Sequence, residues 1–541
     1  MRALCSANAW CIACIAVAAI LAWAGKDVLN PDGLSYLDLA SEAVRGGPAR
    51  LISGYWSPGY PAAIAAVLAI LRPSAAGEVP AIHLLNFLIF LLALATFRGF
   101  VQVLARRRDS LLIPLAFATF LCLVTLFLNP AVVTPDLLLA AVLFAVFDVV
   151  WRLSRTSSLS GYVQLGLLLG CAYYIKAAAF VLALMLLGVL AASLKWRRIR
   201  GTGLLASFAA FCCVSAPLVA LVTKHAGHLT IGEAGSLNYL WYVDHRELTE
   251  NRGWNGSFGS EPLTHAPRVL LDRPLTVEFA DPVPGTYPLW YAPDYWWAGA
   301  GPHLMLPGQL QAILESLANY SRMLLPLAPW IVALAALCAI ARRKPRRSSS
   351  GARLWVWLWP VLAFVMFGLV HVEGRFVAPF FILLIVATYR AIAIRVPPRA
   401  LSVTTLAIVA AAMLIAGVEI AHATRRALRA AAPDAEILAR ELESLGVRPG
   451  DRLAVVGNAF DAFYARYGRT RITAQVQDAG SFWHASAAGR DAVFGRLRAH
   501  GVTAVTAGAA PRDADLTGWR IVRTPDNRYF VRLLAPAKDA H

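Results

Sequence analysis

The chain is short of charge. Of its 541 residues only 15% are Asp, Glu, Lys or Arg, against 58% hydrophobic, and the mean hydropathy is +0.58. Soluble domains carry about a quarter charged residues, so this balance excludes an ordinary water-soluble protein. Acid is scarcer than base, with 32 acidic and 50 basic residues giving a formal net charge of +18. Such an excess often serves nucleic acid. Here, however, the basic residues gather in short loops: Arg106 to Arg108, Arg152 and Arg155, Lys195 to Arg200, Arg342 to Arg347, and Arg395 to Arg399. That is the positive-inside pattern, which places these loops in the cytoplasm and removes nucleic acid as a partner. Cysteine is missing from the polar regions. All eight cysteines lie in or beside apolar runs, which excludes a disulfide framework. Cys11-x-x-Cys14 lies inside the first apolar run with no second ligand pair, and reads as packing rather than a metal site. Internal repeats and long low-complexity stretches are also lacking. The turn at Val455 to Asn458 lacks the further glycines of a nucleotide-binding loop.

What the chain has is a succession of apolar runs, each able to cross a hydrocarbon core of about 30 Å. The first covers about Asn8 to Gly25. Later ones fall near 81–104, 111–128, 136–152, 161–175, 177–194, 203–223, 322–341, 354–371, 377–394 and 401–421. The expected fold class is a polytopic α-helical membrane protein of about eleven transmembrane helices, not a β-barrel with short alternating strands. Basic loops follow every second span, and Arg2 precedes the first. The N-terminus is therefore expected in the cytoplasm and the C-terminus outside, in the cell (inner) membrane. Ala22-Trp23-Ala24 resembles a signal-peptidase site, but cleavage there would still leave Asp32 outside.

The expected domains are a transmembrane part over 1–425 and an extracytoplasmic α/β domain over 430–541. The first outer loop, 26–78, carries a short helix from Leu34 to Val44, ended by Gly46-Gly47-Pro48, and an apolar run from Pro58 to Leu71. That run is too short to span, and a crossing there would turn every later basic loop outward. Both are read as surface helices. A second outer loop, 224–320, is rich in aromatics (Tyr239, Trp241, Tyr242, Trp254 and Trp296 among them), and its end from Pro307 to Tyr320 is amphipathic. Its glycines and prolines predict little helix. In the tail, Leu453 to Val456 and Val502 to Thr506 read as strands, and Ala459 to Tyr467 and Arg490 to His500 as helices. Arg520 to Val522 and Tyr529 to Leu533 form a hairpin about Pro525-Asp526-Asn527.

The candidate chemistry centres on Asp32, in Asn30-Pro31-Asp32-Gly33. The stretch is also a helix start, with Asn30 as cap and Pro31 in the first turn, so a purely structural reading stands beside the functional one. A carboxylate at the outer rim of a helix bundle can act as a base toward an acceptor hydroxyl or amine. Tyr36 lies one turn further on the same face. Asp38 falls on another face and is expected to be solvated.

The first span, the Asp32-x-x-x-Tyr36 helix and the Trp56-x-Pro58-x-Tyr60-Pro61 entry to the second surface helix together resemble the GT-C superfamily. This is the group of polyprenyl-phosphate-sugar glycosyltransferases that includes the protein O-mannosyltransferases and the lipid A aminoarabinose transferase. The resemblance covers about Met1 to Ala421. It implies that Asp32 is the catalytic acid residue of the first outer loop. Many members pair that residue with a second acid, a site for a divalent metal; here the neighbour is Gly33, so no metal ligands and no certain cofactor are assigned. Asp136, in Asn129 to Asp136, matches an acidic residue at an outer span end, although Asp in the first turn of a Pro-initiated helix explains it too. Lys176 would meet a lipid phosphate, or else snorkel at the interface. His371-Val372-Glu373-Gly374-Arg375-Phe376 matches an Arg–aromatic turn. Arg375 there would hold a phosphate leaving group and Glu373 would orient it, against the alternative of a surface Glu–Arg pair. Tyr36, Tyr60, Asp136, Lys176, His371, Glu373 and Arg375 are thus the expected substrate-binding set. His245, His265 and His303 have a spacing that matches no metal pattern.

The implied function is inverting transfer of a sugar from a polyprenyl-phosphate donor to an extracytoplasmic acceptor, which would be a lipid, a glycan or a protein. The competing readings are a lipid-linked oligosaccharide flippase, which would carry midplane charges and repeats, and a polysaccharide polymerase or ligase.

Overall fold

The structure is a computed structural model that describes residues 6–105, 111–194, 200–244, 267–279, 285–286, 302–342, 355–393, 395–429, 432–459 and 462–534. Most of the expected basic loops and the aromatics from Trp254 to Trp297 lie outside these residues.

Each apolar run forms a helix. They are α1 (Ala7–Ala24), α4 (Ala75–Leu104), α5 (Leu112–Phe127), α6 (Asp136–Leu153), α7 (Leu159–Ile175), α8 (Ala178–Ala192), α9 (Gly201–Ala226), α12 (Ala328–Arg342), α13 (Trp355–Gly368), α14 (Gly374–Ala393) and α15 (Pro398–Arg429). Five of these, α1, α4, α9, α14 and α15, are long and apolar enough to cross a membrane by themselves. The amphipathic α11 (Leu306–Leu324) meets α12 at 82°, as a surface helix turning into the bundle would. Helices α5, α7, α8 and α13 are apolar but shorter, and α6 carries Asp136, Asp148 and Arg152. The bundle interior is filled by interlocking rings. Phe97 stacks on Phe120 at 4.5 Å, and Trp359 meets Phe380 edge-on at 5.2 Å. Such offset and T-shaped contacts add to plain apolar burial.

Between α1 and α4 lie α2 (Pro31–Gly46) and α3 (Gly59–Leu71), the two short helices expected from the sequence, with α2 longer than read. The Tyr36 ring meets Trp56 at 4.4 Å and Tyr60 edge-on at 5.2 Å, so aromatic contacts set how α2 lies on α3. Two polar residues of α4 then hold the neighbouring turns. His83 Nε2 lies 2.8 Å from the Val28 carbonyl, and Asn86 donates to the carbonyls of Pro130 and Val132. Asn86 also accepts from the Tyr60 hydroxyl at 2.7 Å. The Asn30 side chain makes no cap bond to its own helix; it accepts from the Val133 amide at 3.2 Å and so binds the start of α2 to the α5–α6 turn.

Helix α10 (Ala234–Tyr242) follows α9, so the loop expected to hold little helix begins with one. The strands β1 (Arg268–Leu271) and β2 (Thr276–Glu278) come next, and they belong to a sheet completed by the C-terminal segment. Its strands are β3 (Arg452–Val456), β4 (Arg471–Val476), β5 (Val502–Ala507), β6 (Arg520–Arg523) and β7 (Arg528–Leu533). The order is β1-β2-β4-β3-β5-β7-β6, with β4-β3-β5 parallel and the outer pairs antiparallel. Helices α16 (Asp434–Ser444), α17 (Tyr464–Tyr467), α18 (Ala479–His484) and α19 (Ala487–Ala499) accompany the strands. The helix expected over 459–467 is reduced to α17, whose four residues end at Gly468.

Asp38 is not solvated. It is buried, and accepts from the Thr286 amide at 2.8 Å and from Arg466 at 3.1 Å. Arg466 also pairs with Glu78 at 2.8 Å and donates to Ser41. The face of α2 that seemed free in a helical projection is covered by two distant parts of the chain.

Candidate active site

Four interhelical connections meet at the N-terminal end of α2. Asp32 stands in the first turn of α2, and Asp136 is the first residue of α6. Both are placed where a helix N-terminus favours a carboxylate. Lys176 ends α7, and Glu373 and Arg375 flank the start of α14.

Arg375 is the hub. Its Nη1 donates to Asp32 Oδ2 at 3.1 Å; its Nε lies 2.7 Å from Glu373 Oε2 and 3.7 Å from Asp136 Oδ2. Lys176 Nζ donates to the other oxygen of Asp136 at 2.5 Å and sits 3.7 Å above the Phe376 ring. Five charged side chains, drawn from positions 32 to 375, therefore form one network. Asp136 is only 3% exposed, while Asp32, Lys176 and Arg375 are each about one-fifth exposed, so the network is open on one side. That side is a cavity of about 500 Å³. Asp32, Glu373 and Arg375 supply its polar wall, and Leu126, Phe127 and Leu137 its apolar one. A cleft with a charged end and an apolar wall suits an amphiphile.

Burial pushes the Asp32 carboxyl above the ordinary carboxylate range, and Arg375 only partly offsets it. Burial also works against the Glu373 carboxylate, but bonds from His371 and Arg375 prevail and hold that acid down at about 2. Neighbouring acids pushed in opposite directions are a common feature of catalytic sites.

The remaining expected residues divide. His371 lies at the rim, 3.5 Å from Glu373, with its ring flat on Tyr242 at 3.8 Å. Tyr36 is buried one turn from Asp32, within electrostatic reach of Asp32 and Asp136. Tyr60 is not brought to the cavity; it is fully buried, and its hydroxyl is engaged by Asn86. Sequence reading missed His83, Asn86 and Asn30 as positioning groups. Two polar residues three apart inside an apolar helix were the available signal for the α4 pair.

Gly33 has a steric reason. A Cβ at this position would lie 2.8 Å from Val133 Cβ and 2.9 Å from Asn30 Oδ1. The paired acid of the GT-C pattern has no room beside Asp32. Among the described residues no three His, Cys, Asp or Glu side chains converge on a metal-sized site. Asp32, Asp136 and Glu373 are arranged around a guanidinium instead, so the residues present do not fit a metal. His245 and His265 lie outside the described residues; His303 Nδ1 lies 3.7 Å from Asp244.

These elements define a multi-pass helical membrane protein whose interhelical turns build a charged pocket. One solved protein that shares this fold along the whole chain is ArnT from Cupriavidus metallidurans. In its apo state that structure matches with a TM-score of 0.57 at 13% identity, over 98% of this chain and 100% of ArnT. ArnT bound to undecaprenyl phosphate matches with a TM-score of 0.58 at 15% identity, over 99% and 100%. A weaker likeness, TM-score 0.48 at 12% identity, extends to the Archaeoglobus fulgidus oligosaccharyltransferase over 91% of this chain and 68% of that one. No protein-family model and no curated protein matches the chain.

Proposed function

We propose that the protein is a membrane glycosyltransferase that moves a sugar from a polyprenyl-phosphate donor to an acceptor on the outer side of the membrane. The observation that carries this reading is the joining of Asp32, Asp136, Lys176, Glu373 and Arg375 in one charged network, three members of which, Asp32, Glu373 and Arg375, line a half-apolar cavity. The GT-C fold shared with ArnT, solved with undecaprenyl phosphate, supports the donor class.

In this mechanism the donor's phosphate enters between Lys176 and Arg375. Lys176 meets it as a point charge and Arg375 as a planar fork. Glu373 and Asp136 hold the two cations in place, and the prenyl chain follows the apolar wall. An acceptor hydroxyl or amine attacks the anomeric carbon from the face opposite the phosphate, and Asp32 takes its proton. The new bond forms as the carbon–oxygen bond to phosphate breaks. The electron pair leaves with the polyprenyl phosphate, whose growing charge Lys176 and Arg375 stabilise. The configuration inverts. The eleven-span topology, with both surface helices and the C-terminal α/β segment outside, belongs to this proposal, because it puts donor, acceptor and Asp32 on one side.

The test incubates the purified chain with labelled polyprenyl-phosphate sugars and candidate acceptors. The expected result is transfer with stoichiometric release of lipid phosphate. Movement of intact donor across the bilayer without cleavage would replace this reading with the flippase.

A further inference from the structure

A second cavity, of about 640 Å³, lies at the other end of α2 from Asp32. It is walled by the ends of α2 and α3 and by the turn around Gly450 and Arg469 of the C-terminal segment. Five arginines line it: Arg45, Arg72, Arg466, Arg469 and Arg471; Glu78 is the one acidic wall residue. Arg466 is satisfied by Asp38 and Glu78, and Arg45 by Glu42. Arg72, Arg469 and Arg471 have no ion-pair partner among the described residues. All three are solvent-exposed around one cavity, where an anion could bridge them by charge-assisted hydrogen bonds.

The backbone supplies an independent observation. Among the described residues, only two non-glycines have a positive φ, namely Arg72 at 45° and Arg469 at 51°. Both line this cavity. Arg72 ends α3 at a position that glycine normally takes, because a Cβ is strained there. Strain retained at two arginines facing one cavity marks a demand for their side chains rather than for their turns.

The rim identifies the ligand class. Ile70 and Leu71, directly before Arg72, are 78% and 54% exposed, and Val44, directly before Arg45, is 47% exposed. Apolar side chains facing outward beside clustered arginines suit the boundary between acyl chains and headgroups. We infer that this cavity binds the phosphate of a lipid headgroup. The site is separate from the Asp32 cluster: the thirteen helical steps of α2 from Asp32 to Arg45 span about 20 Å. The inference does not depend on the activity proposed above.

The experiment uses the full chain purified in non-ionic detergent, with lipid binding read by native mass spectrometry and stability by thermal unfolding. The probes are phosphatidylglycerol, phosphatidylcholine and inorganic phosphate. The wild type should retain phosphatidylglycerol over phosphatidylcholine by roughly tenfold or more. The double variant Arg72→Gly with Arg469→Gly should lose that preference, with a lipid-free melting temperature equal to or above the wild type. Arg471→Gln, on an extended strand, should lose part of the preference. The remote pair Arg520→Gln with Arg523→Gln should keep it. Displacement of the lipid by equimolar inorganic phosphate would support the site but assign it to phosphate alone. Equal retention of both lipids by the wild type, or a preference undiminished in the glycine and Arg471 variants, would overturn the inference.

Discussion

Arg375 donates to Asp32 at 3.1 Å across 343 residues of chain, and this one contact joins the two halves of the proposed reaction. Arg375, the group assigned to the leaving phosphate, is bonded to Asp32, the group assigned to the acceptor proton. In the proposed reaction a donor phosphate would compete with Asp32 for the same guanidinium, and a carboxylate that lost this counter-ion would become the stronger base, so that donor binding would ready the acceptor side.

Asp32→Asn tests that assignment. It keeps size and hydrogen bonding but cannot take a proton. Sugar transfer should fall by roughly 10²–10⁴-fold, while donor binding and thermal stability stay close to wild type. Turnover at the wild-type rate would remove Asp32 as base.

Arg375→Lys keeps the charge and loses the fork. Arg375 reaches three carboxylates through a planar group, which an ammonium cannot copy. The expected loss in kcat is roughly 10²–10³-fold, read in single-turnover release of lipid phosphate. Lys176→Ala should mainly raise the KM for donor and should also leave Asp136 without its closest partner.

Activity should fall on the acid side through the titration of Asp32. Burial raises this carboxyl above its usual 3.8, so the midpoint of kcat/KM should lie above that value. Glu373 acts on stability with the opposite sign. Its folded value of about 2 lies below the ordinary 4.5, so its contribution is present above pH 4.5 and is lost as pH falls from there toward 2. The side chain is 39% exposed, so after solvent screening this amounts to about 1 kcal/mol or less. Thermal unfolding of Glu373→Gln against wild type at pH 7 and pH 3 should show a difference that shrinks at the lower pH.

Gly33→Ala places a methyl group against Val133 and Asn30. Either α2 or the α5–α6 turn must shift, at about 1–3 kcal/mol. Because Asp32 is the preceding residue, activity should fall with stability, and Gly33→Asp should be worse, not metal-activated. Titration of the variants with magnesium or manganese checks the last point.

How much of this was legible in the sequence differs from residue to residue. Every apolar run read as a span appears as a helix, because a long run of unpunctuated hydrophobic residues is a local signal. Asp136, Lys176, Glu373 and Arg375 stood out as charges at the ends of such runs, and in the structure those ends meet. Asp38 was misjudged because helical spacing places a residue on a face but says nothing of what covers it. Thr286 and Arg466, 248 and 428 residues away, cover it here. The share of β2 in the tail's sheet was hidden for the same reason. Three residues leave no periodicity, and their partners lie in β4, almost 200 residues downstream.

That shared sheet means the tail is not detachable cargo. Removing everything after α15 would strip β2 of its neighbour and leave Glu278 without Arg452 and His500. The segment that stacks Tyr242 on His371 would then be followed by an orphaned hairpin. A truncated chain, even one that inserted correctly, would be a damaged form of the protein rather than a minimal one.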